Sequence, residues 1–164
     1  LFHTTSRIIV KSSSGVKFLS NTEYNTYTLQ KGETYDFSEF SDSKVFFDKS
    51  EPIQEQIDAL ISDLSQGKDV YLVTARGDFD SKELFLDKFR KHNIDIDKIR
   101  VERVGKIKDI EGAAYKKKLV IYNIMKTKQY KTAKLVDDSK ENLKQFLSLK
   151  SFFPSVNFFT ELVN

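Results

Sequence analysis

Asp69-Val70-Tyr71-Leu72-Val73-Thr74-Ala75-Arg76-Gly77-Asp78 decides the fold class of this chain. Its first half is a short, nearly continuous apolar run, the pattern of a strand buried on both faces of a sheet. A second run of this kind, Ala133-Lys134-Leu135-Val136-Asp137, lies further along. Each is followed by residues suited to start a helix. Asp80 or Ser81 caps a helix to about Lys91 with Leu84, Phe85 and Phe89 inward. Ser139 opens another to Lys150 with Leu143, Phe146 and Leu147 inward.

Working outward, Ser50 reads as an N-cap and Pro52 as a first-turn residue of a helix whose Ile53, Ile57, Leu60, Ile61 and Leu64 share one face, ended by Gly67. Residues 99–104 alternate as a strand, residues 112–126 form a long helix, and Val156-Asn157-Phe158-Phe159 a last strand. From residue 50 onward helices and strands alternate. That order predicts an α/β fold, a Rossmann-like parallel sheet with helices on both faces. Residues 7–49 read as small strands and loops, including a strand over Tyr24-Asn25-Thr26-Tyr27-Thr28-Leu29 and an acidic, aromatic stretch of weak periodicity after Gly32. The expected organisation is a β-rich segment over 1–49 and an α/β core over 50–164.

Composition narrows the function. The chain has 164 residues, 14 Phe and 7 Tyr, so it has material for a packed core. No apolar run approaches the ~18 residues of a membrane span, which predicts no membrane partner. There is no Cys, which excludes a disulfide framework and a zinc-thiolate site, and only His3 and His92 are present, which excludes a histidine-rich metal site. The net charge of +3 is weak as a signal of polyanion binding, although residues 112–150 are rich in lysine.

In an open parallel sheet, ligands bind beyond the carboxyl ends of the strands. Three features stand there. Thr74 offers a hydroxyl to a phosphate oxygen, Arg76 a guanidinium, and Gly77 a close backbone approach. Lys116, Lys117 and Lys118 open the long helix and point in three directions, so at most one or two of them can face a site. Asp137 and Asp138 repel one another, which a hard cation such as Mg²⁺ would offset, and Asn142 lies one helical turn on. Each feature has a plain structural reading as well: a polar turn, a solvated basic face, and a helix capped by Asp138.

A hydroxyl after a strand, then a Lys on a helix, then paired Asp after a strand resembles the haloacid dehalogenase-like phosphohydrolase superfamily over residues 50–150. Leu72-Val73-Thr74-Ala75-Arg76 stands for its second motif, Lys116 or Lys117 for its third, and Leu135-Val136-Asp137-Asp138-Ser139 for its fourth, with Asn142 in place of the usual last acid. A two-component receiver domain also uses Asp, Thr and Lys, but there the acidic pair comes first.

The resemblance implies a Mg²⁺-dependent phosphomonoesterase working through an aspartyl-phosphate. In it Thr74 and Lys116 or Lys117 hold the phosphoryl oxygens, Arg76 and Gly77 contact substrate, and Asp138, Asp137 and Asn142 form the metal shell. The Thr-Ala-Arg and Asp-Asp-Ser motifs are similar to those of phosphatase domains in viral and nucleic-acid repair proteins. The implied partner is thus a phosphorylated small molecule or a nucleic-acid end, in the cytoplasm (the host's, for a phage member). The alternative reading is a non-catalytic α/β binding module that kept the fold.

The superfamily's first motif, Asp-x-Asp-x-Thr, carries the nucleophile. Here Asp-x-Asp occurs only at Asp78-Phe79-Asp80 and Asp95-Ile96-Asp97, after the second motif. The chain opens with Leu1-Phe2-His3-Thr4, its only Met is Met125, and Leu1–Thr5 lacks the basic start and apolar stretch of a signal peptide. The expectation is a member truncated just after its first motif, lacking the first central strand and the nucleophile. Residues 7–49 would then be a small cap insert.

Overall fold

Helix α1 (Asn21–Thr26) occupies a stretch whose alternating β-formers predict a strand. A capping box decides it. The Ser20 hydroxyl accepts the Glu23 N–H at 3.2 Å, and the Glu23 carboxylate accepts the Ser20 N–H at 2.7 Å. Tyr24 and Tyr27, three apart, then pack on buried Ile8, Val10 and Leu19. Those residues belong to β2 (Ile8–Ser12) and β3 (Gly15–Leu19), an antiparallel hairpin that β4 (Thr34–Asp36) extends in the order β3-β2-β4.

The computed structural model describes residues 1–164, the side chain of Asn25 aside. Two compact units emerge: residues 1–71 with 77–100, and residues 72–76 with 101–164.

In the first unit β1 (Phe2–His3) pairs antiparallel with β5 (Glu51–Pro52). A further helix absent from the sequence reading, α2 (Ser43–Lys49), begins where the Asp42 carboxylate accepts the Val45 N–H at 3.0 Å. Its Phe46 is buried among the rings of Phe2, Phe85 and Phe89. Ser50 does not open the next helix. It ends α2, its hydroxyl donating to the Phe46 carbonyl, and Pro52 lies in β5. Helix α3 (Gln54–Ser65) starts after Ile53, whose N–H is taken by the Leu1 carbonyl, and buries Ile57 and Leu60. Gly67 ends that segment at φ +74°, a conformation that favours glycine. After β6 (Tyr71–Thr74), α4 (Lys82–Lys91) is capped by Ser81 as predicted, with Phe85 and Phe89 buried. The Asp80 carboxylate accepts the Ser43 N–H, and the Ser43 hydroxyl donates to the Ser81 carbonyl, so the starts of α2 and α4 are tied.

The second unit takes the ends of β6 and of β7 (Arg100–Arg103), which pair as a two-stranded sheet. Then follow α5 (Ala113–Met125), β8 (Thr132–Asp137), α6 (Lys140–Leu147) and β9 (Asn157–Leu162). Strands β8 and β9 are parallel, Ala133 opposite Phe158 and Asp137 opposite Leu162, with α6 between them in sequence: a β-α-β unit. Its core is Ile121, Met125, Phe146, Leu149 and Val156, packed on Val73, Ala133, Leu135 and Phe158.

Strand β8 is not buried on both faces as the sequence predicts. Only Ala133 and Leu135 meet this core. Val136 on the other face is 38 % exposed, and Phe159 beside it 55 %. A Lys134–Glu161 ion pair crosses that outer face. The fold is thus mixed α/β with several small sheets. Among the described residues, no helix is long and apolar enough to cross a membrane.

Candidate functional site

The residues singled out at strand and helix ends, Gly77 excepted, fall in the second unit. Strand β8 delivers Asp137 as its last residue. Ser139, rather than Asp138, then caps α6, its hydroxyl accepting the Asn142 N–H at 3.3 Å. This turn folds back on Asp137. Oδ1 of Asp137 accepts the Ser139 backbone N–H at 2.9 Å and the Asn142 side-chain amide at 2.8 Å.

The other carboxylate oxygen, Oδ2, accepts the Lys117 ammonium at 2.7 Å. Helical periodicity explains why Lys117 and not a neighbouring lysine arrives there. At 100° per residue, Lys117 sits one turn before Ile121, which is buried in the core. Lys116 and Lys118 are rotated to either side. The choice between Lys116 and Lys117 left open by the sequence falls to Lys117 as the partner of Asp137. The pair is largely shielded from water, the two side chains being 12 % and 7 % exposed. Burial pushes the Asp137 carboxyl up. The Lys117 charge and hydrogen bond, the Ser139 N–H and the Asn142 amide outweigh it, and the net shift is downward.

Asp138, next along, is exposed. The second unit thus presents a tied carboxylate and a solvent-facing one side by side. As a Mg²⁺ site the donors are of the right kind, since Asp138 and the Asn142 carbonyl are hard oxygen ligands. Mg²⁺ characteristically keeps several waters and takes one or two carboxylates plus phosphate oxygens. Among the described residues no group of three or more His, Cys, Asp or Glu is placed to hold a metal.

Thr74 ends β6. Its hydroxyl accepts the Arg76 backbone N–H at 3.2 Å, a tight local turn that leaves the hydroxyl proton to donate elsewhere. The Arg76 carbonyl accepts the Gly105 N–H at 3.2 Å. The Arg76 side chain is buried, 7 % exposed, and desolvation pushes its guanidinium down to about 10. A side chain added at Gly77 would meet open space, so the fold itself does not demand glycine there. Val73 and Leu135 pack against one core, so Thr74 and Asp137 terminate strands that share it.

The sequence reading has Ser139 opening this helix but overlooked it as the N–H donor that orients Asp137. Its signal was the Ser139-x-x-Asn142 spacing one turn into a helix. Comparison with known proteins adds no relative: no family model matches the chain, and neither a curated protein nor a solved structure matches it significantly.

Proposed function

We propose that the second unit forms part of a Mg²⁺-dependent phosphohydrolase site of the haloacid dehalogenase-like type, on a Rossmann-like arrangement of its strands. The Lys117–Asp137 pair carries the reading. A shielded lysine held against a carboxylate at the end of a parallel strand, beside an exposed second carboxylate, is an arrangement suited to phosphoryl chemistry.

In this reading Lys117 neutralises charge developing on the phosphoryl oxygens, and Asp137 fixes its position. The Thr74 hydroxyl donates to a phosphoryl oxygen, and Arg76 contacts the remainder of the substrate. Asp138, with Asn142, would hold Mg²⁺, which when bound supplies charge neutralisation at the phosphoryl group. The covalent step needs a carboxylate nucleophile. Neither Asp137, already paired, nor exposed Asp138 suits that role, and the reading assigns it to an Asp-x-Asp-x-Thr motif preceding Leu1.

The test is direct. Coding sequence upstream of Leu1 is read, and a protein extended through it is assayed with Mg²⁺ and an aryl phosphate beside residues 1–164 alone. The expected result is turnover only in the extended protein, abolished by changing the upstream Asp. Turnover by residues 1–164 that depends on one of their own Asp residues would overturn the assignment of the nucleophile.

A further inference from the structure

The two units differ sharply in charge. Residues 72–76 with 101–164 hold fourteen Lys and Arg against seven Asp and Glu, a net +7. Residues 1–71 with 77–100 hold thirteen against seventeen, a net −4. The modest overall charge of +3 conceals this. The unit that carries the Lys117–Asp137 pair is therefore the polyanion-seeking part of the chain.

That unit also leaves aromatic surface in water. Helix α5 turns Ile121 and Met125 to the core. Along one flank of the helix, beside that buried line, Tyr115, Lys118, Leu119, Tyr122 and Lys126 follow one another at helical spacing, one stripe of about 16 Å, with Tyr122 itself packed in part against the core. Tyr115 is 53 % exposed, and Phe152, in a T-shaped contact with Tyr122 at 5.5 Å between ring centroids, 60 %. The Lys126 ammonium lies over the Tyr122 ring, 5.2 Å from its centroid. Aromatic faces interleaved with lysines suit a strand of unpaired bases: rings stack on bases, and ammonium groups meet the phosphates between them. The stripe begins in the first turns of α5, where Lys117 turns inward to Asp137.

From the charge division and this stripe together, we infer that this flank of α5 with Phe152 is a track for single-stranded nucleic acid, whose terminal phosphate is the group presented to the Thr74–Lys117 region. The inference rests on the proposed phosphohydrolase reading only for the fate of that terminal phosphate.

The experiment is fluorescence anisotropy with a 5′-fluorescein, 3′-phosphorylated dT 12-mer and residues 1–164. Binding should weaken steeply with salt. Tyr115→Ala and Phe152→Ala should each weaken it about 5- to 150-fold at fixed salt, the range for loss of one base–aromatic stack. Lys118→Ala with Lys126→Ala should flatten the slope of log K against log salt by about 1.4, two single-strand phosphate contacts. Lys31→Gln, an exposed lysine of the first unit, should change neither.

Binding that is insensitive to Tyr115 and Phe152, or equal for a duplex of the same length, would mark a generic polyanion surface and overturn the track. Self-association lost in Phe152→Ala, without oligonucleotide binding, would overturn it in favour of an interface between copies. Turnover of an aryl phosphate by the extended protein, without oligonucleotide binding, would overturn this inference and leave the phosphohydrolase reading standing. Stacking-dependent binding with no turnover by the extended protein would support the track and count against that reading.

Discussion

The Lys117 ammonium and the Asp137 carboxylate lie 2.7 Å apart, both side chains largely shielded from water, and they join the first turns of α5 to the end of β8. This bond does two things. It holds in place the one of three consecutive lysines that turns inward, and it keeps a largely buried carboxylate ionised. Much of what the second unit is expected to do follows from it.

Removing the lysine tests this first. Lys117→Met leaves Asp137 with the Ser139 and Asn142 donors but without its counter-charge. The expected cost at pH 7 is about 3 kcal/mol, the lower end of the range for a broken buried pair. The pH dependence should change sign as well. In the parent, the Asp137 carboxyl lies below its unfolded value. Its contribution is therefore present above the unfolded value and lost as pH falls through the folded one. In the variant burial dominates, the folded value rises, and stability contributed by this group grows as pH falls. Urea unfolding at pH 7 and pH 4 reads both effects.

Asn142→Asp puts a carboxylate in place of the amide that donates to Asp137 at 2.8 Å. Without divalent cations the two acids should repel, lowering stability by about 2 kcal/mol through loss of a charged hydrogen bond and like-charge contact. Mg²⁺ should restore part of it. Thermal melts in chelator and in Mg²⁺ make the comparison. Equal melting temperatures in both would argue against a cation at this position.

Asp138→Asn separates structure from function. The side chain is exposed, so stability should stay within about 0.5 kcal/mol of the parent. In the extended protein, Mg²⁺-dependent turnover should fall. Unchanged turnover would remove Asp138 from the proposed metal shell.

Thr74→Val keeps the volume of the side chain and deletes the acceptor for the Arg76 N–H. We expect a loss of about 1 kcal/mol in unfolding free energy, recovered in Thr74→Ser, which keeps the hydroxyl. Denaturant titration of the two variants distinguishes the hydrogen bond from the shape of the residue.

In the first unit, Lys88 is buried and its ammonium donates to the Phe47 carbonyl at 2.8 Å and the Ser50 carbonyl at 2.7 Å, satisfying the C-terminal end of α2. Lys88→Met retains the apolar stem and strands those carbonyls. The expected cost is about 2 kcal/mol by chemical denaturation, with the second unit's surface unaffected.

How far the sequence reached can be traced residue by residue. Helix α4 was legible because its Ser81 cap and inward Phe85 and Phe89 are local signals, and the parallel β8-α6-β9 segment because its apolar runs and cap alternate. Helix α1 was not. Tyr24 and Tyr27 are β-formers by propensity, and the reciprocal Ser20–Glu23 cap with packing on Ile8 and Val10 outweighs a preference of a few tenths of a kcal/mol per residue. Ser50 was misread because a serine before a proline signals a helix start, whereas here its hydroxyl closes α2.

The site divides in the same way. The sequence alone determined which chemical groups stand after the strands: the Thr74 hydroxyl, the lysine triplet, the Asp137–Asp138 pair and Asn142 all follow from local pattern and chain order. Only the tertiary structure decided their division of labour. Which lysine turns inward depends on the rotation of α5 about its axis, set by Ile121 and Met125 seeking the core. Which aspartate is tied and which faces water depends on the turn that Ser139 caps. Both are settled by packing between elements distant in sequence, where hydrophobic burial outweighs the small local preferences that a linear reading sees.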